Sequence, residues 1–203
     1  TLVDEIYLGL SFDEAYGHSA LELGDDVITI NSFSKYFCMT GWRLGWALVP
    51  DDLVGPFEAL TGKLVEQFDG LVPAVLEGTG SKGVNGAFTL GENIGDLGGL
   101  GIAVVAYQMY LEDKGIADVE PQAFGDLEGE YTGFQRLFLA WARVWRSKAR
   151  PEMAAQLLAI DPHAPNEFRC NVIAANIAEF YEAFEVEQGS TMWIDPEDRV
   201  TIW

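Results

Sequence analysis

Glu92 and Asp96 stand four apart in Gly91-Glu92-Asn93-Ile94-Gly95-Asp96-Leu97-Gly98-Gly99. On a helix that spacing projects both carboxylates from one face. One can ligate a metal while the other orients a neighbouring histidine ligand. The complement is missing: the chain has no His-Glu-x-x-His, and its only histidines are His18 and His163. A second constellation lies upstream. Ser32-Phe33-Ser34-Lys35 follows an apolar run ending at Ile30. A lysine at the carboxyl edge of a sheet can form a Schiff base, and hydroxyls beside it can hold a phosphate. Arg43 can grip the same phosphate with two parallel N–H bonds. Asp4 suits a pyridinium nitrogen, and the Tyr7 hydroxyl suits a ring oxygen.

The elements that must position these residues differ between the two ends of the chain. Leu2–Tyr7, Asp26–Ile30 and Leu44–Val49 read as short strands bounded by polar residues, Gly or Pro50. Asp51 or Asp52 can cap a helix running to Leu60. From about Lys63 the pattern turns helical: Leu90–Glu112, Tyr131–Arg146, Glu152–Ile160 and Glu167–Phe184. In the last segment Phe168, Val172, Ile173, Ile177, Phe180, Tyr181 and Phe184 fall on one stripe, with Asn166 placed to cap it. Leu100–Tyr110 reads as a buried helix, too short in apolar length to span a bilayer. The fold class expected is mixed: a mainly α C-terminal part with an α/β N-terminal fragment.

Composition narrows the function. A formal charge of −20, with 32 acidic against 12 basic residues, argues against nucleic acid and anionic membrane as partners. Cys38 and Cys170 make no disulfide framework. With no signal peptide to see, a reducing compartment, the cytoplasm, is the expected setting. The chain opens without Met and reads as truncated.

Asp4-Glu5-Ile6-Tyr7, Ser32-Phe33-Ser34-Lys35 and Gly41-Trp42-Arg43, in that order and spacing, resemble a central slice of the aspartate aminotransferase-like pyridoxal-phosphate enzymes. The resemblance covers residues 1–62. It implies Lys35 as the aldimine lysine, Asp4 on the pyridine nitrogen, Tyr7 on the ring oxygen, and Ser32 and Arg43 on the phosphate. The family's glycine-containing phosphate loop, stacking aromatic and substrate-binding arginine fall outside the slice.

Residues 63–203 resemble the C-terminal catalytic part of the neprilysin-like zinc metallopeptidases, a zincin-like fold. Val84-Asn85-Gly86, Thr89 to Leu100, Trp141 to Glu152, Asp161 to Arg169 and Arg199 to Trp203 carry this likeness. It implies Glu92 as the third zinc ligand and Asp96 as the partner of a histidine ligand. It implies His163 and Arg169 as the groups that stabilise the oxyanion and hold the substrate backbone. Asn85 is a further candidate for positioning an extended peptide. The function implied is zinc-dependent hydrolysis of peptides, with a site left incomplete by the missing His-Glu-x-x-His. The alternatives are a pyridoxal-phosphate aminotransferase fragment and a non-catalytic fusion of both remnants, joined near Gly62. Each remnant is cut from a larger core, so exposed apolar surface and self-association are expected.

Overall fold

The computed structural model describes residues 1–10, 17–42 and 44–201. Two compact units emerge, Thr1–Ala59 and Leu60–Trp203. The first is α/β and the second mainly α, as the fold class expected.

The first unit holds a three-stranded sheet in the order β1 (Leu2–Asp4), β2 (Ile28–Ser32), β3 (Gly45–Leu48). β1 runs parallel to β2 with Asp4 opposite Ile30, and β3 returns antiparallel with Ser32 opposite Gly45. A Cβ at Gly45 would lie 2.8 Å from the Asn31 carbonyl oxygen, so only glycine permits this approach. Val27 and Thr29 are buried, whereas every residue of β3 is exposed. The strands are shorter than the apolar runs: β1 stops at Asp4 because its carboxylate turns back to accept the Ile6 N–H at 3.0 Å.

Helix α1 (Asp51–Phe68) does not end at Leu60. Asp51 and Asp52 occupy its first turn, where they complement the helix dipole rather than cap it. Leu60, Leu64 and Phe68 recur at intervals of four and enter the core of the second unit, Leu64 and Phe68 completely. Burial of that stripe carries the helix past the composition change at Gly62.

The second unit is built on α2 (Gly86–Lys114), followed by α3 (Gly133–Val144), α4 (Pro151–Ile160), α5 (Asn166–Ala175) and α6 (Ala178–Phe184). The Asn85 side chain caps α2 by accepting the Phe88 N–H at 3.0 Å, one turn earlier than the apolar pattern begins. Gly115, at φ 65°, ends it in the left-handed conformation. Leu97, Leu100, Val104 and Leu111 face the core. Ile102, Val105 and Met109 are more than half exposed, at 63%, 53% and 64%, so only one face of Leu100–Tyr110 is buried. By length and composition α2 could cross a bilayer, but the same test admits the central helix of a folded domain, and α2 packs against α5. Thr132 and Gln135 form a reciprocal capping box at the start of α3.

The single helix expected over Glu167–Phe184 is two. Asn176 ends α5, and Ile177 is extended, at φ −94° and ψ 123°. The buried Asn176 amide donates to the Val172 carbonyl and to Gln67 Oε1, and accepts the Val200 N–H at 2.7 Å. These bonds compete with helix continuation. The apolar stripe nonetheless stays on the core side across the break. Asn166 is the first residue of α5 rather than its cap; Pro165 takes that place without a side-chain bond.

Between α2 and α3 the chain is tied by Asp118. It accepts Tyr107 Oη–H and the Val119 N–H, both at 2.7 Å, and the Phe134 N–H at 3.3 Å. Burial pushes the Asp118 carboxyl up, but the bonds from Tyr107, Thr132 and the two backbone N–H groups outweigh it and hold it below its ordinary value. Burial first, and the Asp118 bond second, push Tyr107 up to about 12. A depressed carboxylate contributes stability above its unfolded value, lost as pH falls through the folded one. A raised phenol contributes stability below pH 10, lost as pH rises towards about 12. Tyr107→Phe is therefore expected to cost about 1–2 kcal/mol near neutrality. In urea melts the gap to wild type should narrow from pH 10 upward; a constant gap would rule out this linkage.

Candidate functional site

The helical spacing of Glu92 and Asp96 does put both on one face of α2, one turn apart. Because α2 packs on α5, Arg169 in the first turn of α5 meets Asp96 in a two-pronged contact. Nε donates to Oδ2 at 2.6 Å and Nη2 to Oδ1 at 2.8 Å. Both side chains are nearly buried, 14% exposed for Arg169 and 11% for Asp96. The guanidinium also lies 4.3 Å from the Trp145 ring centroid, a cation–π contact. The Nε–Nη2 edge of Arg169 and its contact with Trp145 thus hold it still. Its Nη1 edge makes no bond among the described residues and remains able to donate to a carbonyl.

One turn earlier on α2, Glu92 Oε2 lies 3.1 Å from His163 Nε2. The other ring nitrogen of His163 is 2.6 Å from Asp161 Oδ1, which also accepts the His163 N–H at 2.9 Å. Burial raises the Asp161 carboxyl, but these two bonds, with the charges of His163 and Arg169, hold it below its usual range. A carboxylate on one nitrogen and a carboxylate on the other fix the ring plane. Residues 92, 96, 163 and 169 are therefore brought together.

Two members of this cluster escape the spacing rules. Asp161 falls in the Asp-Pro-His run, and its carboxylate accepting the N–H two residues on is an Asx turn, a signal the sequence did carry. Trp145 had no such signal; only the packing of the loop after α3 puts its ring on Arg169. Its Nε1 is buried with no acceptor among the described residues.

The donor set does not make a zinc site. Protein zinc sites take at least three protein ligands. Among the described residues no group of three or more His, Cys, Asp or Glu side chains is placed to hold a metal ion. Glu92 is the one carboxylate placed as a ligand, and His163 already occupies it. Asp96 meets an arginine rather than a histidine. His18 is 3.4 Å from Glu22, one helical turn along the chain.

The N-terminal candidates also gather, at the carboxyl ends of β1 and β2. Lys35 Nζ lies 6.0 Å from the Tyr7 ring centroid. Ser32 Oγ accepts the Ser34 N–H at 3.1 Å. Arg43 lies outside the described residues. Asp4 and Lys35 are exposed, and Tyr7 is 61% exposed. In open water a carboxylate stabilises a pyridinium weakly, and an imine is not shielded from hydrolysis. Asp4, Tyr7, Ser32 and Lys35 share an edge but, among the described residues, do not enclose a pyridoxal ring.

Peptidase family M13 matches residues 42–200 of the chain. The chain belongs to that family. Aminotransferase class I and II matches residues 1–78, a shorter likeness that overlaps the first over 42–78. A neutral endopeptidase from Lactobacillus helveticus is 33% identical over 84% of this chain and 22% of its own length. Human neprilysin is 40% identical over 61% of this chain and 16% of its own. Among solved structures, the Mycobacterium tuberculosis zinc metalloprotease ZMP1 in its open state aligns at 45% identity with a TM-score of 0.65, covering 75% of this chain and 22% of that one. The chain thus spans about a fifth of the length of the relatives it matches.

Removing one partner of the Asp96–Arg169 pair strands the other. Asp96→Asn or Arg169→Ala is expected to destabilise the fold by about 3 kcal/mol, and the double variant by less than the sum. Urea denaturation of the four-member cycle measures this; additive losses would mean that the pair is not coupled.

Proposed function

We propose that the chain is the substrate-binding and carboxylate-ligand portion of an M13 zinc metalloendopeptidase. It holds extended peptide through Arg169 and His163, and does not hydrolyse it alone. The observation that carries this reading is the meeting of α2 and α5, where Arg169 is locked by Asp96 with one N–H edge spare. A locked guanidinium loses little entropy on meeting a backbone carbonyl. His163 is held through both ring nitrogens, Nδ1 by Asp161 and Nε2 by Glu92, so it can donate to the oxygen of a bound carbonyl only by exchanging its Glu92 contact for that oxygen. Cys38 and Cys170 are both free thiols, which suits a reducing compartment such as the cytoplasm.

A second reading concerns residues 1–62. The parallel pairing of β1 and β2 gathers Asp4, Tyr7, Ser32 and Lys35, which supports descent from an aminotransferase large domain. On this view the chain is a fusion joined near Gly62, with domains 1–62 and 63–203. A Schiff-base absorbance with added pyridoxal phosphate that survives Lys35→Ala would remove Lys35 from that role.

For the peptidase reading, a quenched fluorogenic peptide should bind but show no turnover above blank, with or without added zinc. Arg169→Ala should weaken binding at least tenfold, the loss of one charge-assisted bond. Chelator-sensitive turnover would overturn the reading. So would undiminished peptide binding in a folded Arg169→Ala protein.

A further inference from the structure

Beside Arg169 and His163 a cavity of about 730 Å³ opens between the Pro73–Val75 segment, the loop after α3, α4 and α5. Of the chain's 12 Lys and Arg residues, Arg146, Lys148 and Arg169 line it, and Arg143 and Arg150 lie close by in sequence but outside its walls. Arg143 is taken by Asp126 at 3.4 Å. Arg146 and Lys148 line the cavity, and their side chains have no ion-pair or hydrogen-bond partner among the described residues.

The two carboxylates in the same wall are already satisfied. Asp161 accepts two bonds from His163, and Glu167 accepts the Ala74 N–H at 3.2 and 3.3 Å through its two oxygens. Trp145 adds an indole N–H that is buried without an acceptor. Among side chains, the unmet groups with fixed polarity in this wall are therefore donors, two of them cationic. Val75, Leu157 and Leu158 supply apolar surface beside them. The overall charge of −20 opposes an anionic ligand only at a distance. At physiological ionic strength it is screened beyond about 8 Å, and the nearest charges decide.

We propose that this cavity is a carboxylate-selecting peptide subsite, in which Arg146 and Lys148 bind the carboxylate and the apolar wall takes an adjoining side chain. The proposal rests on the peptide-binding reading above and names its substrate class. The carboxylate can belong to an acidic side chain or to a peptide's own C-terminus, since both offer the same two oxygens.

Calorimetric titration of the full chain with three acetylated pentapeptides tests it. They are amidated Ala-Leu-Glu-Leu-Ala, amidated Ala-Leu-Gln-Leu-Ala, and the glutamine peptide with a free carboxylate end. A carboxylate-bearing peptide should bind about tenfold tighter than the neutral one. Gain from the glutamate side chain or from the free end identifies which source fits. The preference should vanish in Arg146→Gln/Lys148→Gln, whose residues support no other contact, and persist in Arg143→Gln, which lies outside the cavity. Equal affinity for all three peptides would overturn the selectivity while leaving peptide binding intact. A preference that persists in the double variant would overturn the role of Arg146 and Lys148. No binding of any peptide would overturn both readings together.

Discussion

The pair between Arg169 and Asp96 is the constraint on which the second unit turns. Withdrawing two charges from water costs several kcal/mol per ion, and is tolerable only when geometry is close to ideal. Here it is: two short parallel bonds, with an aromatic ring against the guanidinium. The pair leaves little freedom in the register of α5 along α2. A slip of one residue would separate the fork from the carboxylate and leave both unpaired. Everything else in the site inherits this register. Glu92 comes one turn before Asp96, and the Asp161–His163 turn enters α5 a few residues before Arg169, so the histidine reaches Glu92.

That arrangement explains how Glu92 keeps its place. A lone glutamate on a helix face would have little to hold it still. Glu92 is held because His163 bonds to it, and His163 is in turn held by Asp161. The carboxylates find their partners within the chain: Asp96 in Arg169, and Glu92 and Asp161 in the two ring nitrogens of His163. Among the described residues the same arrangement leaves no group of three or more side chains placed to hold a metal ion.

Much of this was legible before any coordinates. The four-residue spacing of Glu92 and Asp96 needs only a helix to put both on one face. The stripe from Phe168 to Phe184 marks the core side of α5 and α6. What the spacing could not reveal is the break at Asn176. Periodicity records which side of a helix is buried, and that side survives when one residue leaves the ladder and the chain resumes. The break depends on Gln67 and Val200, far away in sequence. Trp145 was opaque for the same reason: an aromatic after a helix has many possible neighbours, and only tertiary packing selects Arg169. Asn85 is a different case, a residue with two readings. Its position before Gly86 reads equally as a peptide contact or a cap, and the Phe88 N–H takes its oxygen.

The junction between the two likenesses has a physical logic of its own. They overlap over residues 42–78, and α1 lies wholly inside that overlap. Joining two segments within a helix imposes one condition, that the periodicity continue in phase, because the backbone bonds are satisfied locally whatever the side chains are. Leu60, Leu64 and Phe68 meet that condition across Gly62. A join inside a sheet would be harsher, since a one-residue error turns every side chain to the wrong face. Under the proposed fusion, the helix lets the second unit complete its core from residues on both sides of the seam. Leu60 lies before it, and Leu64 and Phe68 lie after it. In the first unit β1 and β3 are the outer strands of the sheet, and β3 buries none of its residues. The peptidase-like unit thus has the means to hold its site in register, while the aminotransferase-like edge keeps its residues in open solvent.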